Sequence, residues 1–94
     1  MSKALSAAEV STALRDLPGW ATRENSIERV FQFADFKAAM KFVKTIAEAA
    51  EAANHHPDIL INYNKVTLTL VSHDSGGVTE RDLRMARKIN ENAD

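Results

Sequence analysis

All three histidines of this 94-residue chain fall between Glu51 and Asp82. His55-His56-Pro57 precedes one apolar run at 59–61, and His73 closes the stretch begun by a second run at 66–71. The Asn62-Tyr63-Asn64-Lys65 segment between the runs reads as the turn of a β-hairpin centred near Asn64. In an antiparallel pair centred there, facing residue numbers add to 128 or 129, which sets His55 or His56 opposite His73. The fold-back is therefore expected to gather three imidazoles at one end of the hairpin. Imidazole loses and regains its proton near neutral pH. Such a cluster can protonate a leaving oxygen while accepting a proton from elsewhere on the same molecule.

Three readings of the cluster stand side by side at this point. The histidines are unrelated surface residues, or ligands of a three-histidine zinc site, or acid–base groups working without a metal. Adjacent residues at the start of a strand point apart, which makes a single ion shared by His55 and His56 awkward. For acid–base work the two need only reach different atoms of one substrate.

The elements that position these residues are legible from caps and periodicity. Ser6 and Glu9 have capping-box spacing, and Leu5 and Val10 are placed to close a hydrophobic staple. Val10, Ala13, Leu14 and Leu17 form the buried stripe of this first helix, which Pro18-Gly19 stops. Trp20 follows, either a buried aromatic or a residue that stacks on a ligand. Residues 20–22 and 27–33 read as strands around a Glu24-Asn25-Ser26 turn. Asp35 caps the longest helix. In it Phe36, Met40, Val43, Ala47 and Ala50 form the expected core face, with Ala39, Ile46 and Ala53 widening it and Lys37, Lys41, Lys44 and Glu48 opposite. Its many alanines would admit a second copy of the helix at close range.

Asn54 suits a helix C-cap and Pro57 prevents continuation. In the last apolar run Val66, Leu68, Leu70 and Ser72 share the inward face, while Lys65, Thr67, Thr69, Val71 and His73 share the other. Thr79 opens the final helix, and Asp82 stands at capping-box spacing from it. Asp82 also lies between Leu83, Ala86 and Ile89 on the inward side, where a carboxylate needs a partner such as a histidine N–H. It can cap the helix, hold a histidine, or do both. Arg81, Arg84, Arg87 and Lys88 read as a solvated outer face.

Length and composition set the frame. A chain of 94 residues, 45% hydrophobic, forms one domain over 1–94 with a single core. A formal charge of −1 gives no field to draw it to nucleic acid or to an anionic membrane. The absence of cysteine excludes disulfides and thiolate chemistry and points to an intracellular, cytoplasmic setting. Met1-Ser2-Lys3 leads into a helix, so neither a signal peptide nor a membrane span is expected.

The spacing as a whole resembles a known family. Glu51, three residues, His55-His56-Pro57, five residues, Tyr63, nine residues, His73, eight residues and Asp82 look like the motif of the pterin-4a-carbinolamine dehydratases. The flanks match too: Leu5-Ser6-Ala7, Gly19-Trp20, the Phe31, Phe33, Asp35, Phe36 run, Tyr63 to Val66, and Thr79 to Asp82. The similarity covers almost the whole chain, with no departure at a motif position. It implies an α+β fold of two layers, a four-stranded antiparallel sheet with three helices on one face in the order α-β-β-α-β-β-α. It implies dehydration of a 4a-hydroxytetrahydropterin to quinonoid dihydropterin and water, recycling the pterin spent by an aromatic amino-acid hydroxylase. Neither metal nor cofactor is implied. By the same resemblance His55 and His73 transfer protons and His56 binds and orients the pterin. Glu51 and Asp82 support them, Trp20 lies near the pocket, and Pro57 and Ser72 stand among the supporting residues. The family forms homodimers and homotetramers. Some animal members also serve as dimerisation cofactors of a homeodomain transcription factor, so a non-catalytic binding module is the alternative.

Overall fold

The computed structural model describes residues 3–93, so Met1, Ser2 and the leader reading that rests on them lie outside the described residues. The elements run α1 (Ala7–Leu14), β1 (Ala21–Arg23), β2 (Ser26–Gln32), α2 (Phe36–Ala53), β3 (Asp58–Asn62), β4 (Lys65–Leu70), a short 3-10 turn (His73–Ser75) and α3 (Glu80–Ala93). The strands form one antiparallel sheet in the order β1-β2-β4-β3. The expected α+β, two-layer architecture is the one observed. Among the described residues no helix is long and apolar enough to cross a membrane.

Local chemistry explains where the elements begin and end. Ser6 and Glu9 close the capping box of α1, each side chain satisfying the other's backbone N–H at 3.1 and 2.8 Å. The helix stops at Leu14, earlier than expected. Pro18 cannot donate to the Leu14 carbonyl and disfavours helical geometry at Leu17. Leu17 is nonetheless buried, reaching the core from the turn that follows. Asp35 caps α2 by accepting from the Ala38 N–H at 2.8 Å. At the other end Asn54 adopts left-handed φ 53° and ψ 41°, as a C-cap should.

The core lies between the helices and one face of the sheet. Ile27 and Phe31 of β2 and Val66, Leu68 and Leu70 of β4 supply its sheet side. The opposite face is uncovered, with Val30 and Leu60 more than half exposed. The expected inward face of β4, ending in a buried Ser72, is observed.

Two expectations require correction. On α2 the buried row is Ala39, Phe42, Ile46 and Ala50, whereas Phe36 and Met40 are 48% and 39% exposed and Ala47 and Ala53 face solvent. Val43 is half-buried between the two rows. Apolar residues occupy adjoining rows of this helix, and packing selects the one carrying Phe42. Its ring sits 4.8 Å from that of Phe31 and 5.0 Å from that of Phe33.

The second correction concerns the hairpin register. Asn62 pairs with Lys65 and Asp58 with Thr69, so facing numbers add to 127 rather than 128 or 129. The chain reverses through the two residues Tyr63 and Asn64, with Tyr63 taking φ 51°. The Asn64 side chain ties this turn to the Phe33 carbonyl at 2.9 Å. Pairing stops at Asp58 and Leu70, short of every histidine.

Candidate active site

The three histidines meet even though no ladder joins them. His55 and His56 follow the left-handed Asn54, where the chain leaves α2 and the His55 N–H turns back to the Ala50 carbonyl at 3.1 Å. His73 opens the 3-10 turn beyond β4. Together with Asn54, Val71, Ser72, Asp74 and Arg81, all three imidazoles line one cavity of about 270 Å³. A larger cavity of about 690 Å³ lies between α1 and the β1–β2 turn, but it holds no imidazole and a single carboxylate, Glu24. All three imidazoles border the smaller one.

Asp82 is the fixed point of the site. It is fully buried in the first turn of α3, and both its oxygens are engaged. Oδ2 accepts from the Thr79 N–H at 2.9 Å and from the Ser72 hydroxyl at 2.9 Å. Oδ1 accepts from His55 Nε2 at 2.5 Å. Capping and histidine-holding are thus done by one residue. Because the Ser72 proton goes to Asp82, the 2.8 Å contact between Ser72 and Thr79 must have Thr79 donating. Every buried polar atom in this group has a partner, which makes it rigid.

A carboxylate only accepts, so His55 carries its proton on Nε2 and leaves Nδ1 as its uncommitted nitrogen. His56 is arranged the same way near the surface, its Nε2 2.5 Å from Oε2 of Glu51, a little over one turn back along α2. That pair is largely exposed and orients the ring more than it stabilises the fold. The His73 ring makes no hydrogen bond to any described residue. Among the described residues no group of three His, Asp or Glu side chains is arranged to hold a metal ion, so the zinc geometry weighed from the sequence is not assembled.

Four residues of the cavity wall, Asn54, Val71, Asp74 and Arg81, lie outside the site expected from the sequence. Asp74 was not singled out, and Arg81 read as part of a solvated basic stripe. In the fold Arg81 Nη2 donates to Asp74 Oδ1 at 2.6 Å. The guanidinium holds the Asp74 carboxyl below the usual carboxylate range. Seven residues separate them across an irregular loop, and no helical or strand period links such a pair.

Pro57 links His56 to β3 and is half-buried. Trp20 stands elsewhere. It is 6% exposed, and its indole N–H donates to Asn90 Oδ1 at 2.8 Å. Asn90 lies two turns, about 12 Å, along α3 from Asp82. Arg29 also donates to Asn90 Oδ1, at 2.6 Å, and lies over the Phe31 ring. Gly19, at φ 90°, makes room for it, since a Cβ there would fall 2.4 Å from Arg29 Nε. Trp20 therefore lines the core and an internal polar junction, not the histidine cavity.

Comparison with known proteins agrees with this architecture. The family described as pterin 4 alpha carbinolamine dehydratase matches residues 3–92. A Koribacter versatilis protein bearing the pterin-4-alpha-carbinolamine dehydratase name is 59% identical over 91 residues, 97% of each chain. The crystal structure of a transcriptional coactivator/pterin dehydratase from Brucella melitensis superposes with a TM-score of 0.92 at 41% identity, covering 98% of this chain and 100% of that one. A pterin dehydratase-like RuBisCO assembly factor of the α-carboxysome shares the fold at a TM-score of 0.64 and 20% identity, over 79% of this chain and 86% of its own. With its helices, sheet and histidine cavity in place, the chain belongs to the pterin-4a-carbinolamine dehydratase family of hydro-lyases.

Proposed function

We propose that the histidine cavity dehydrates a 4a-hydroxytetrahydropterin by acid–base catalysis. An imidazolium gives its proton to the C4a hydroxyl, and the C4a–O bond breaks with its electron pair leaving as water. The N5 lone pair forms the C4a=N5 bond as a neutral imidazole takes the N5 proton. The products are quinonoid dihydropterin and water, and one proton passed between the two rings restores the enzyme. His55 and His73 are the proton-transfer pair in this reading. His56, oriented by Glu51, binds the ring system, while Asp82, Ser72 and Pro57 support the site. General acid and general base each contribute about 10²–10⁴ in rate.

The observation that carries the reading is the convergence of three imidazoles on one cavity beside a fully buried carboxylate. A 4a-hydroxytetrahydropterin is a compact bicyclic molecule, and a cavity of about 270 Å³ suits it better than a large ligand. The reaction would return spent tetrahydropterin to a hydroxylase in the cytoplasm. Its direct test is the decay of freshly generated 4a-hydroxytetrahydropterin with and without the protein. Acceleration that depends on His55 supports the reading, and decay at the uncatalysed rate sinks it.

The exposed row on α2 favours self-association as well. Phe36 and Met40 face solvent along a helix whose alanines allow close approach, as a homodimer or homotetramer would require. Light scattering reports the assembled mass. A strictly non-catalytic binding module would use the same row but leave the histidine cavity without a task.

A further inference from the structure

The His73 ring differs from those of the other two histidines in having no hydrogen bond to any described residue. With no hydrogen bond to hold it, the ring depends on the backbone on either side for its place. That backbone is a one-turn 3-10 segment ended by Gly76 at φ 75°. Its base is closed by paired bonds between Ser72 and Gly77 at 3.0 and 3.3 Å. Closure fixes the loop's shape but not its angle to α3, where His55 is anchored.

Two side-chain ties set that angle. Ser72, just before His73, donates to Asp82 at 2.9 Å. Asp74, just after it, accepts from Arg81 at 2.6 Å. The four residues are neighbours in pairs, 72 and 74 around the histidine, 81 and 82 in the first turn of α3. Arg81 keeps this posture although its Nε is buried without an acceptor among the described residues, a cost that swinging into solvent would remove.

We propose that Arg81 is a positioning residue which, through Asp74, fixes His73 relative to His55. The proposal rests on the dehydratase reading, in which both rings must reach one substrate. Misplacement by about 1 Å costs up to about 10² in rate, so loss of one exposed tie should cost about tenfold.

The test is a double-mutant cycle on the full chain, read by turnover and by NMR of the histidine rings. Arg81→Met and Asp74→Ala, which remove the donor and the acceptor, should each lower kcat about tenfold with KM changed less than about twofold. Arg81→Met/Asp74→Ala should lose no more than either single variant, because both break one contact. Arg81→Lys should recover part of the loss. In the same variants the His73 ring signals should broaden or move while those of His56 stay. Multiplying losses, an unaltered Asp74→Ala enzyme, or a KM rise confined to Arg81→Met would each overturn the proposal. Should the parent protein show no dehydratase activity, the functional reading fails by itself. The ring signals then still decide the positioning role: movement of His73 upholds it, and unmoved signals refute it.

Discussion

His55 Nε2 donates to Asp82 Oδ1 across 27 residues of sequence, joining the end of α2 to the first turn of α3. Replacing His55 with Ala should lower turnover about 10²–10⁴-fold while the protein stays folded, since it leaves a single Asp82 oxygen unpaired. Asp82→Ala should behave differently. It strands the Thr79 N–H, the Ser72 hydroxyl and the His55 ring, at about 1–3 kcal/mol for each buried group left unpaired. Circular dichroism melts alongside the activity assay separate the two outcomes.

The two rows of α2 give a stability test. Phe42→Ala removes a ring packed between Phe31 and Phe33 and should cost about 3–5 kcal/mol in chemical denaturation. Met40→Ala should cost far less in the monomer, because Met40 is 39% exposed. Equal losses would mean that the helix presents the other row.

Acid stability should report the Arg81–Asp74 pair. Arg81 lowers the Asp74 pKa in the folded chain, so the pair's contribution is present above the ordinary carboxylate range and disappears as pH falls through the lowered value. Glu9, lowered by its bonds to Ser6, acts in the same direction. Asp74→Asn should therefore be less stable than the parent at neutral pH and equal to it once pH has fallen below the lowered value. Urea titrations at a series of pH values measure the gap, and a gap that widens in acid contradicts the assignment.

Asn54 holds the left-handed turn from which His55 departs. Asn54→Gly should leave stability within a few tenths of a kcal/mol, whereas Asn54→Val should cost about 1–2 kcal/mol, left-handed geometry being poor for a branched side chain. The valine variant should also lose turnover, as relaxation there moves His55 and His56 together.

How much of this was readable beforehand depended on whether the signal was local. Ser6, Asp35 and Asn54 marked helix ends because each satisfies or redirects backbone groups within three or four residues. The inward face of β4 followed from simple alternation. Asp82's two duties were visible because helical spacing gives both its distance from Thr79 and the face it turns to. Tertiary competition was not visible. Nothing local to α2 says that Phe31 and Phe33 will select Phe42 over Phe36 and Met40. The hairpin centre moved because Tyr63, a residue with no turn preference, accepts a left-handed φ. The histidines still converged, through a helix cap and a 3-10 turn instead of a ladder. Trp20's partner, Asn90, lies 70 residues away, beyond any periodic argument.

The long reach between the end of α2 and the start of α3 gives the order in which competence can appear during refolding. Helix α2 and the β3–β4 hairpin can form from neighbouring residues, yet they leave His55 and the His73 loop without their ties to α3. In the proposed mechanism the proton-transfer pair is set only when α3 docks and brings Asp82 to His55. Regained turnover should consequently trail the return of helical ellipticity, making catalysis itself a clock for the last docking event.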